Sequence, residues 1–393
     1  MIYIIILTYL LILVLLFEIS RIKVDNSVKN FFYYSSLFIL ITVAGLRYRI
    51  GMDTFFYMYN YENTPVLKGF DFSKAVFEPF WYLLISLCKS IVNDFVLVQI
   101  VHAIIVNTVI FWFIKKYTVY RFTAIFIYYI SFYILFNTEL LRQALSICCL
   151  LVAYSSFTER KWLKYYMLSI VAVLFHYTAL LFLIFPLLKR IRVDVKIILL
   201  LFAVSVLFLV FSEQIKNLLT GGLEMIGLSG RLDIYLNVKL NYKGIIGGYV
   251  LYVFIPAIVI YLNDKLDGQN NFKDLYFIYF VISFTVIVFP SLLRLREYMV
   301  IFCMIYWLNF IFVISNRKFV RRLRQVVICF LLILYFIPDF LYYSRDTSKQ
   351  VIGTKFYNRY YPYYSVFNPK KYPQRERLWR VDAGWEKPDS KKK

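Results

Sequence analysis

Arginines placed at the ends of apolar runs are the residues of this chain whose type and spacing could do chemistry. In GLRYRIGMDTFFY, residues 45–57, Arg47, Arg49, Gly51 and Asp53 follow directly on a hydrophobic run. Guanidinium forks bind phosphate or carboxylate, and a glycine lets the backbone turn sharply beside them. The plainer reading is that both arginines end a helix and snorkel to lipid headgroups. NTELLRQALS places Glu139 three residues before Arg142 at a helix start, with Gln143 beside it. That spacing suits a local ion pair, or a donor surface built from Arg142 and Gln143. In FPSLLRLREYM, Pro290 interrupts an apolar run just before Arg294, Arg296 and Glu297, and broken helices line polar cavities in membranes. Arg294 and Glu297, one turn apart, also suit a local pair. His176, in LFHYTALLF, and His102, in IVHAII, are the two histidines. The spacing predicts His102 as a hydrogen-bonded core residue and leaves His176, at the depth of the arginines, as a candidate general base.

The elements that must position these residues are membrane helices. Of the 393 residues 61% are hydrophobic and only 17% charged, and the mean hydropathy is +0.66. A soluble domain carries roughly a quarter charged residues. Aromatics reach 21%, which suits extensive membrane–water interfaces. The net charge of +22 comes from short basic clusters between apolar runs, so it reads as topology and anionic lipid rather than nucleic acid. Cys88, Cys148, Cys149, Cys303 and Cys329 lie in apolar runs with neither metal-ligand nor disulfide spacing. The N-terminal run MIYIIILTYLLILVLLF lacks a basic start and a cleavage site and is expected to remain as a first span.

A helix needs ~20 apolar residues to cross the bilayer. Ten clear spans are predicted, at 2–17, 31–46, 95–114, 122–136, 140–157, 197–211, 245–262, 275–293, 298–314 and 326–342, and ten to twelve in all. Segment 80–92 is short for a span. Segment 165–188 is either one span or a broken re-entrant pair tipped near His176. With 80–92 and 165–188 both turning back, every Lys/Arg-rich short loop falls on the cytoplasmic side. Arg47, Arg49, Asp53, Glu78, Glu139, Arg142, Gln143, His176, Arg231, Asp233, Arg294, Arg296 and Glu297 then gather on the outer side. Charge at that depth is rare unless it pairs or lines a polar cavity, and six arginines among carboxylates suit a large anion. The predicted organisation is one membrane domain, 1–343, with outer loops 47–79 and 212–244, and a basic, aromatic-rich tail, 344–393. That tail carries thirteen Lys/Arg, five Asp/Glu and ten aromatics, so it reads as lying along headgroups or as a partly disordered extension.

No nucleotide-binding glycine loop, nucleophile elbow, zinc spacing or acidic pair for Mg²⁺ occurs. The substrate is therefore expected to arrive activated, and a lipid-linked pyrophosphate fits.

GLRYRIGMDTFFY, FEPFWYLL, LLRQALS, KWLKYYMLSIVAVLFHYTALLF and the tail's YYPYYSVF follow one another in an order that resembles the EpsG family of Wzy-like polymerases of O-antigen, capsule and exopolysaccharide. The resemblance covers roughly residues 30–345 and the Tyr-rich tail. GMDT stands where the family often has GTDT, so Met52 lacks a hydroxyl while Arg47 and Asp53 are kept. Ser229–Arg231 matches less well. The resemblance implies an all-α membrane glycosyltransferase of the C type in the bacterial inner membrane. It would transfer a growing glycan from undecaprenyl pyrophosphate to a sugar hydroxyl of an incoming lipid-linked repeat unit at the outer face, with no nucleotide, metal or other cofactor. Arg47, Arg49, Arg142, Arg231 and Arg294 would hold the pyrophosphate, and His176 or Asp53 would serve as base. Glu78, Gln143, Glu297 and Tyr57 would bind or orient the acceptor, and Tyr57, Trp81 and loop 212–244 would stack on sugars. The bilayer and the lipid-linked oligosaccharide are the expected partners, with room for a chain-length regulator and none for nucleic acid. A lipid-linked oligosaccharide flippase, or a membrane O-acyltransferase using His176, would use similar residues. The first should show an internal repeat and charge across the bilayer; the second needs a cytoplasmic donor site.

Overall fold

Uninterrupted runs of Ile, Leu, Val and Phe with no Gly or Pro favour helix wherever lipid leaves backbone groups no other partner. In the computed structural model these runs become α1 (Ile2–Val14), extended by a wide π turn to Ile19, α2 (Asn26–Gly45) and α5 (Phe95–Tyr117). The structure describes residues 2–20, 24–75, 77–189, 191, 193–211, 214, 217, 242–266, 272–289, 292–315 and 341–389. Five helices among them are long and apolar enough to cross a membrane: Ile2–Ile19, Asn26–Gly45, Phe95–Tyr117, Leu141–Thr158 and Ile246–Lys265. The chain is an all-α, polytopic membrane protein, with no β-strand among the described residues. Two compact units divide it, residues 1–180 with 314–393, and residues 181–313.

In the first unit α7 (Leu141–Thr158) is central, with 72% of its span buried against 22% for α1. Against it pack α5 and α8 (Trp162–Phe175), and α3 (Thr54–Asn63), α4 (Pro79–Ile91) and α6 (Arg121–Tyr128) complete the unit. Through π turns at Tyr129–Tyr133 and Leu135–Glu139, α6 continues to Glu139. A closed polar network braces this stretch. Asn107 donates to Asn137 (2.9 Å), Tyr128 donates to Asn107 (2.9 Å), and Asn137 donates to the Tyr133 carbonyl (2.8 Å). Buried polar groups that satisfy one another specify a single register in an apolar surround.

The unit has two chemically distinct ends. At one, the Glu18 carboxylate accepts from the N–H groups of Phe122 (2.7 Å) and Thr123 (2.8 Å), capping α6. Lys115 donates to Tyr34 there, and Tyr117 rests on Tyr154 near the close of α7. The basic clusters at 29, 115–121 and 160–164 therefore share this end. At the other end meet the close of α2, the close of α6 and the starts of α4, α5 and α7. A 23-residue α5 holds the two ends about 35 Å apart.

Of the two readings of segment 165–188, the broken one is the one present. His176 leaves α8 with φ −159° and ψ 118°, and a 3-10 stretch, Tyr177–Ile184, leads to α9 (Phe185–Leu188). The short segment 80–92 is α4, thirteen residues. Its Lys89 ammonium closes the neighbouring α3 by donating to the carbonyls of Tyr61 (2.9 Å), Glu62 (2.9 Å) and Thr64 (2.8 Å).

The second unit holds α10 (Val195–Val210), α11 (Tyr242–Tyr249), α12 (Ile255–Lys265), α13 (Tyr276–Val288), α14 (Leu293–Glu297) and α15 (Val300–Ser315). The helix ends at Val288 and restarts at Leu293, where a proline break is expected. Asn263 donates to the Tyr306 hydroxyl (2.9 Å), and Lys189 pairs with Asp274 (3.1 Å). The tenth predicted span, 326–342, lies outside the described residues except for its last two.

Gly51 shows how tightly the loop after α2 is held. Its φ is +118°, and a Cβ there would meet Thr54 Oγ1 at 2.7 Å, Thr138 Cβ at 2.8 Å and the Thr138 carbonyl at 3.1 Å. Gly51→Ala is expected to cost roughly 3 kcal/mol, read as an earlier heat-denaturation midpoint in detergent. An unchanged midpoint would mean that the loop can move away from α6.

Candidate functional site

Glu78, Arg142 and His176 come together at the end of the first unit opposite the basic loops. Pro79 opens α4 immediately after Glu78, so the carboxylate stands at a helix N-terminus, where negative charge is favoured. Arg142 lies in the first turn of α7, where a cation opposes the helix dipole and gains from an anionic partner. His176 is held where α8 stops, its N–H bonded to the Ala172 carbonyl (2.9 Å).

The three side chains share one carboxylate. Arg142 Nη1 donates to Glu78 Oε2, and His176 Nδ1 lies 2.7 Å from Glu78 Oε1, which also accepts from the Tyr177 N–H at 3.3 Å. Glu78 is only 3% exposed. Burial alone would raise its carboxyl, but the His176 hydrogen bond and the Arg142 charge more than offset this and hold it down, at about 2 against an ordinary 4.5. An ionised Glu78 accepts a hydrogen bond from Nδ1–H, which leaves the lone pair of His176 on Nε2. Nε2 is buried and makes no hydrogen bond among the described residues. The Arg142 guanidinium lies 4.0 Å from the Phe77 ring centroid and meets the Tyr57 hydroxyl.

This pairing carries a pH dependence of definite sign. A carboxyl lowered on folding stabilises the native state fully above its unfolded value, and the contribution is lost as pH falls through the folded value. The wild-type melting midpoint is therefore expected to drop between about pH 4.5 and pH 2, and Glu78→Gln should remove that limb. Parallel curves for the two proteins would contradict the pairing.

The loop carrying Arg47 and Arg49 is held by the C-terminal tail rather than by its own secondary structure. Leu46 O accepts from Val366 N–H (3.0 Å), Tyr48 N–H donates to Tyr364 O (2.9 Å), and Gly51 N–H donates to Arg359 O (3.1 Å). Arg375 donates to Arg49 O (3.1 Å), and the Trp379 indole donates to Gly51 O (2.7 Å). Residues 373–382 form α16 (Pro373–Asp382), and Arg359 pairs with its Asp382 (2.6 Å). Residues 345–389 are thus a folded part of the unit that carries the site.

Arg49 and Arg47 separate within this frame. Arg49, at φ 52°, makes a two-pronged pair with Glu376 (2.7 and 2.6 Å), and its guanidinium faces the Trp379 ring at 5.4 Å. Its fork is engaged, so the arginine expected at a pyrophosphate clamps the tail instead. Glu376→Gln should cost about 2 kcal/mol and speed protease cleavage within 344–372, and the exchange Arg49→Glu with Glu376→Arg should slow it again. No rescue by the exchange would mean that the pair does not hold the tail. Arg47 is 2% exposed; Nη1 donates to Ala44 O, while Nε and Nη2 have no partner among the described residues. Burial lowers its guanidinium to about 10, still charged at neutral pH.

The remaining expected residues fall as follows. Glu139 ends α6 and Arg142 begins α7, because Leu140 breaks the helix at φ −94° and ψ 43°. The two do not share the helix face on which a local pair was expected. Gln143 is buried beside Arg142. Asp53 is half-buried at the start of α3. Tyr57 and Trp81 are 4% and 0% exposed and turn to each other at 5.4 Å, so they wall the site rather than offering a face to a sugar. His102 is a core residue bonded to Leu141 O (3.0 Å), as expected. In the second unit, Arg294 is exposed on α14, Glu297 is half-buried, and Arg296 lies 3.8 Å from the Tyr252 ring. Arg231, Asp233 and most of loop 212–244 lie outside the described residues. Among the described residues no three His, Cys, Asp or Glu side chains gather, and no metal site is assigned. Sequence reasoning missed Glu376 and Lys89, whose partners are remote in the chain or backbone carbonyls.

Helices of spanning length and a buried carboxylate–histidine–arginine cluster at one end define a multi-pass membrane protein with a polar site at the end of its helices. The model of the EpsG family matches residues 30–365, and the chain belongs to that family, whose members are Wzy-like polymerases. No curated protein and no solved structure matches it.

Proposed function

We propose that the protein is a polysaccharide polymerase that transfers a growing glycan from undecaprenyl pyrophosphate to a sugar hydroxyl of an incoming lipid-linked repeat unit. The observation that carries this reading is the Glu78–His176 pair, with Nε2 left without a hydrogen bond among the described residues and Arg142 on the same carboxylate. The acceptor hydroxyl gives its proton to His176 Nε2 as its oxygen bonds to the donor sugar's anomeric carbon. The bond from that carbon to the phosphate oxygen breaks, and undecaprenyl pyrophosphate leaves as the anion. A hydroxyl is a weak nucleophile at neutral pH, and a positioned base contributes about 10²–10⁴-fold.

Arg142 and the N-terminus of the 18-residue α7 meet the charge that develops on the leaving group. Buried Arg47, with two donor groups unused, is the second candidate for the pyrophosphate. Glu78 orients the base, a more specific role than acceptor binding. Asp53 and Gln143, both in the first unit, stay as candidates for orienting the acceptor. The reaction as written draws on no nucleotide or metal, because the donor arrives activated. The basic loops gather at the end of the unit opposite the site, and the preference of Lys and Arg for the cytoplasm supports an outer-face site in the inner membrane.

The test is the glycan ladder of gene-deleted cells complemented with Arg142→Ala, Arg47→Ala or His176→Ala, with membrane expression verified. Loss of the ladder with a single repeat still capped onto the cell surface is expected. Loss of the single repeat as well would point to a flippase, and an unchanged ladder would make these residues structural.

A further inference from the structure

The tail crosses the ends of two membrane-length helices before it reaches α16. The Tyr363 ring stands edge-on to Tyr3 of α1 at 5.8 Å, and its hydroxyl donates to Val43 O of α2 at 3.1 Å. Val366 N–H then bonds to Leu46 O, one residue past the close of α2. These contacts fix residues 363–366 at the level where the α1 and α2 spans end. The chain turns there, with Asn368 N–H bonded to Ser365 O at 3.0 Å. Phe367 projects from that turn at 83% exposure, the highest of any large apolar side chain among the described residues. Beside Tyr3, Ile4 and Ile5 are 67% and 55% exposed, so the nearby surface of α1 is apolar too. Lys370 and Lys371 follow, both exposed and neither in an ion pair among the described residues.

We propose that the turn Phe367–Lys371 is a membrane anchor, with Phe367 seated at the boundary of headgroups and acyl chains and the two lysines on phospholipid phosphates. An aromatic side chain followed by paired lysines, held at span-end depth, matches the chemistry of that layer. A water-facing turn would leave the most exposed large apolar side chain without a counterpart. Because Leu46, Tyr48 and Gly51 bond to the same tail, the anchor would also set the depth of the Arg47 loop. The inference rests on the membrane reading of the chain and is independent of the reaction at His176.

The test uses the full chain in native membranes, with Phe367→benzoylphenylalanine as a photocrosslinker. A position this open takes the added ring without disturbing packing. A phospholipid adduct found by mass spectrometry is expected, and the same probe at exposed Lys387 should give at least several-fold less. In vesicles mixing phosphatidylglycerol with phosphatidylethanolamine, Lys370→Ser with Lys371→Ser should lower the anionic share of the adduct about two-fold or more; an unchanged share would overturn the role of the lysines. No adduct would mean that Phe367 faces water. A protein–protein adduct would assign the turn to a second copy, and a polyprenyl adduct would assign it to the substrate lipid. Each of these three outcomes would overturn the anchor.

Discussion

Replacing His176 with asparagine is expected to abolish chain extension while leaving the protein folded. The asparagine amide can stand where Nδ1 stands and keep donating to Glu78 Oε1, now 2.7 Å from the ring nitrogen. It has nothing at the position of Nε2. The substitution therefore separates the proton acceptor from the buried hydrogen bond that fixes it. A loss of about 10²–10⁴-fold in extension rate is expected from a missing general base, with the melting midpoint little changed. His176→Ala should lose the same activity and stability as well, because Glu78 then lacks one partner. If asparagine kept wild-type extension, His176 would be a structural ligand of Glu78.

Arg142→Ala should act on stability and activity together. The guanidinium is the partner of a carboxylate only 3% exposed, and leaving a buried charge unpaired costs about 3–5 kcal/mol. The same change removes the cation beside the α7 N-terminus, where a lost electrostatic contact is worth about 10²–10³ in rate. Glu78→Gln with Arg142→Ala separates the two effects. Neutralising both partners should recover much of the stability, seen as expression and melting midpoint, and none of the activity. Recovered activity in the double variant would show that Arg142 serves only to neutralise Glu78. Arg142→Lys keeps the charge but lacks the planar fork and should restore stability more than turnover.

The helices were legible in the sequence because lipid leaves an apolar run little else to become, and α2, α5 and α7 lie where hydropathy puts them. The break at His176 was legible only as one of two readings, since twenty-four apolar residues, 165–188, are too few for two full spans but can still form one. Partner choice was not legible. Arg142 stands three residues from Glu139 and pairs with Glu78, 64 positions away. Local spacing predicts a helical pair only if the helix continues, and Leu140 ends it. Arg49 and Arg47 look equivalent along the chain and differ completely in the fold, one clamped to Glu376 across 327 positions, the other buried with donor groups unused. The tail's composition suggested headgroups or disorder, because prolines and charges hide the few apolar anchors, Leu378, Trp379 and Val381, that seat α16.

Chain extension by purified protein in lipid nanodiscs, supplied only with a lipid-pyrophosphate-linked repeat unit and a chelator, tests the central claim most directly. Wild-type protein should build oligomers of rising length and release one lipid pyrophosphate per bond formed, while His176→Asn, folded to the same melting midpoint, should build none. Extension by His176→Asn at the wild-type rate would contradict the assignment of His176 Nε2 as the base.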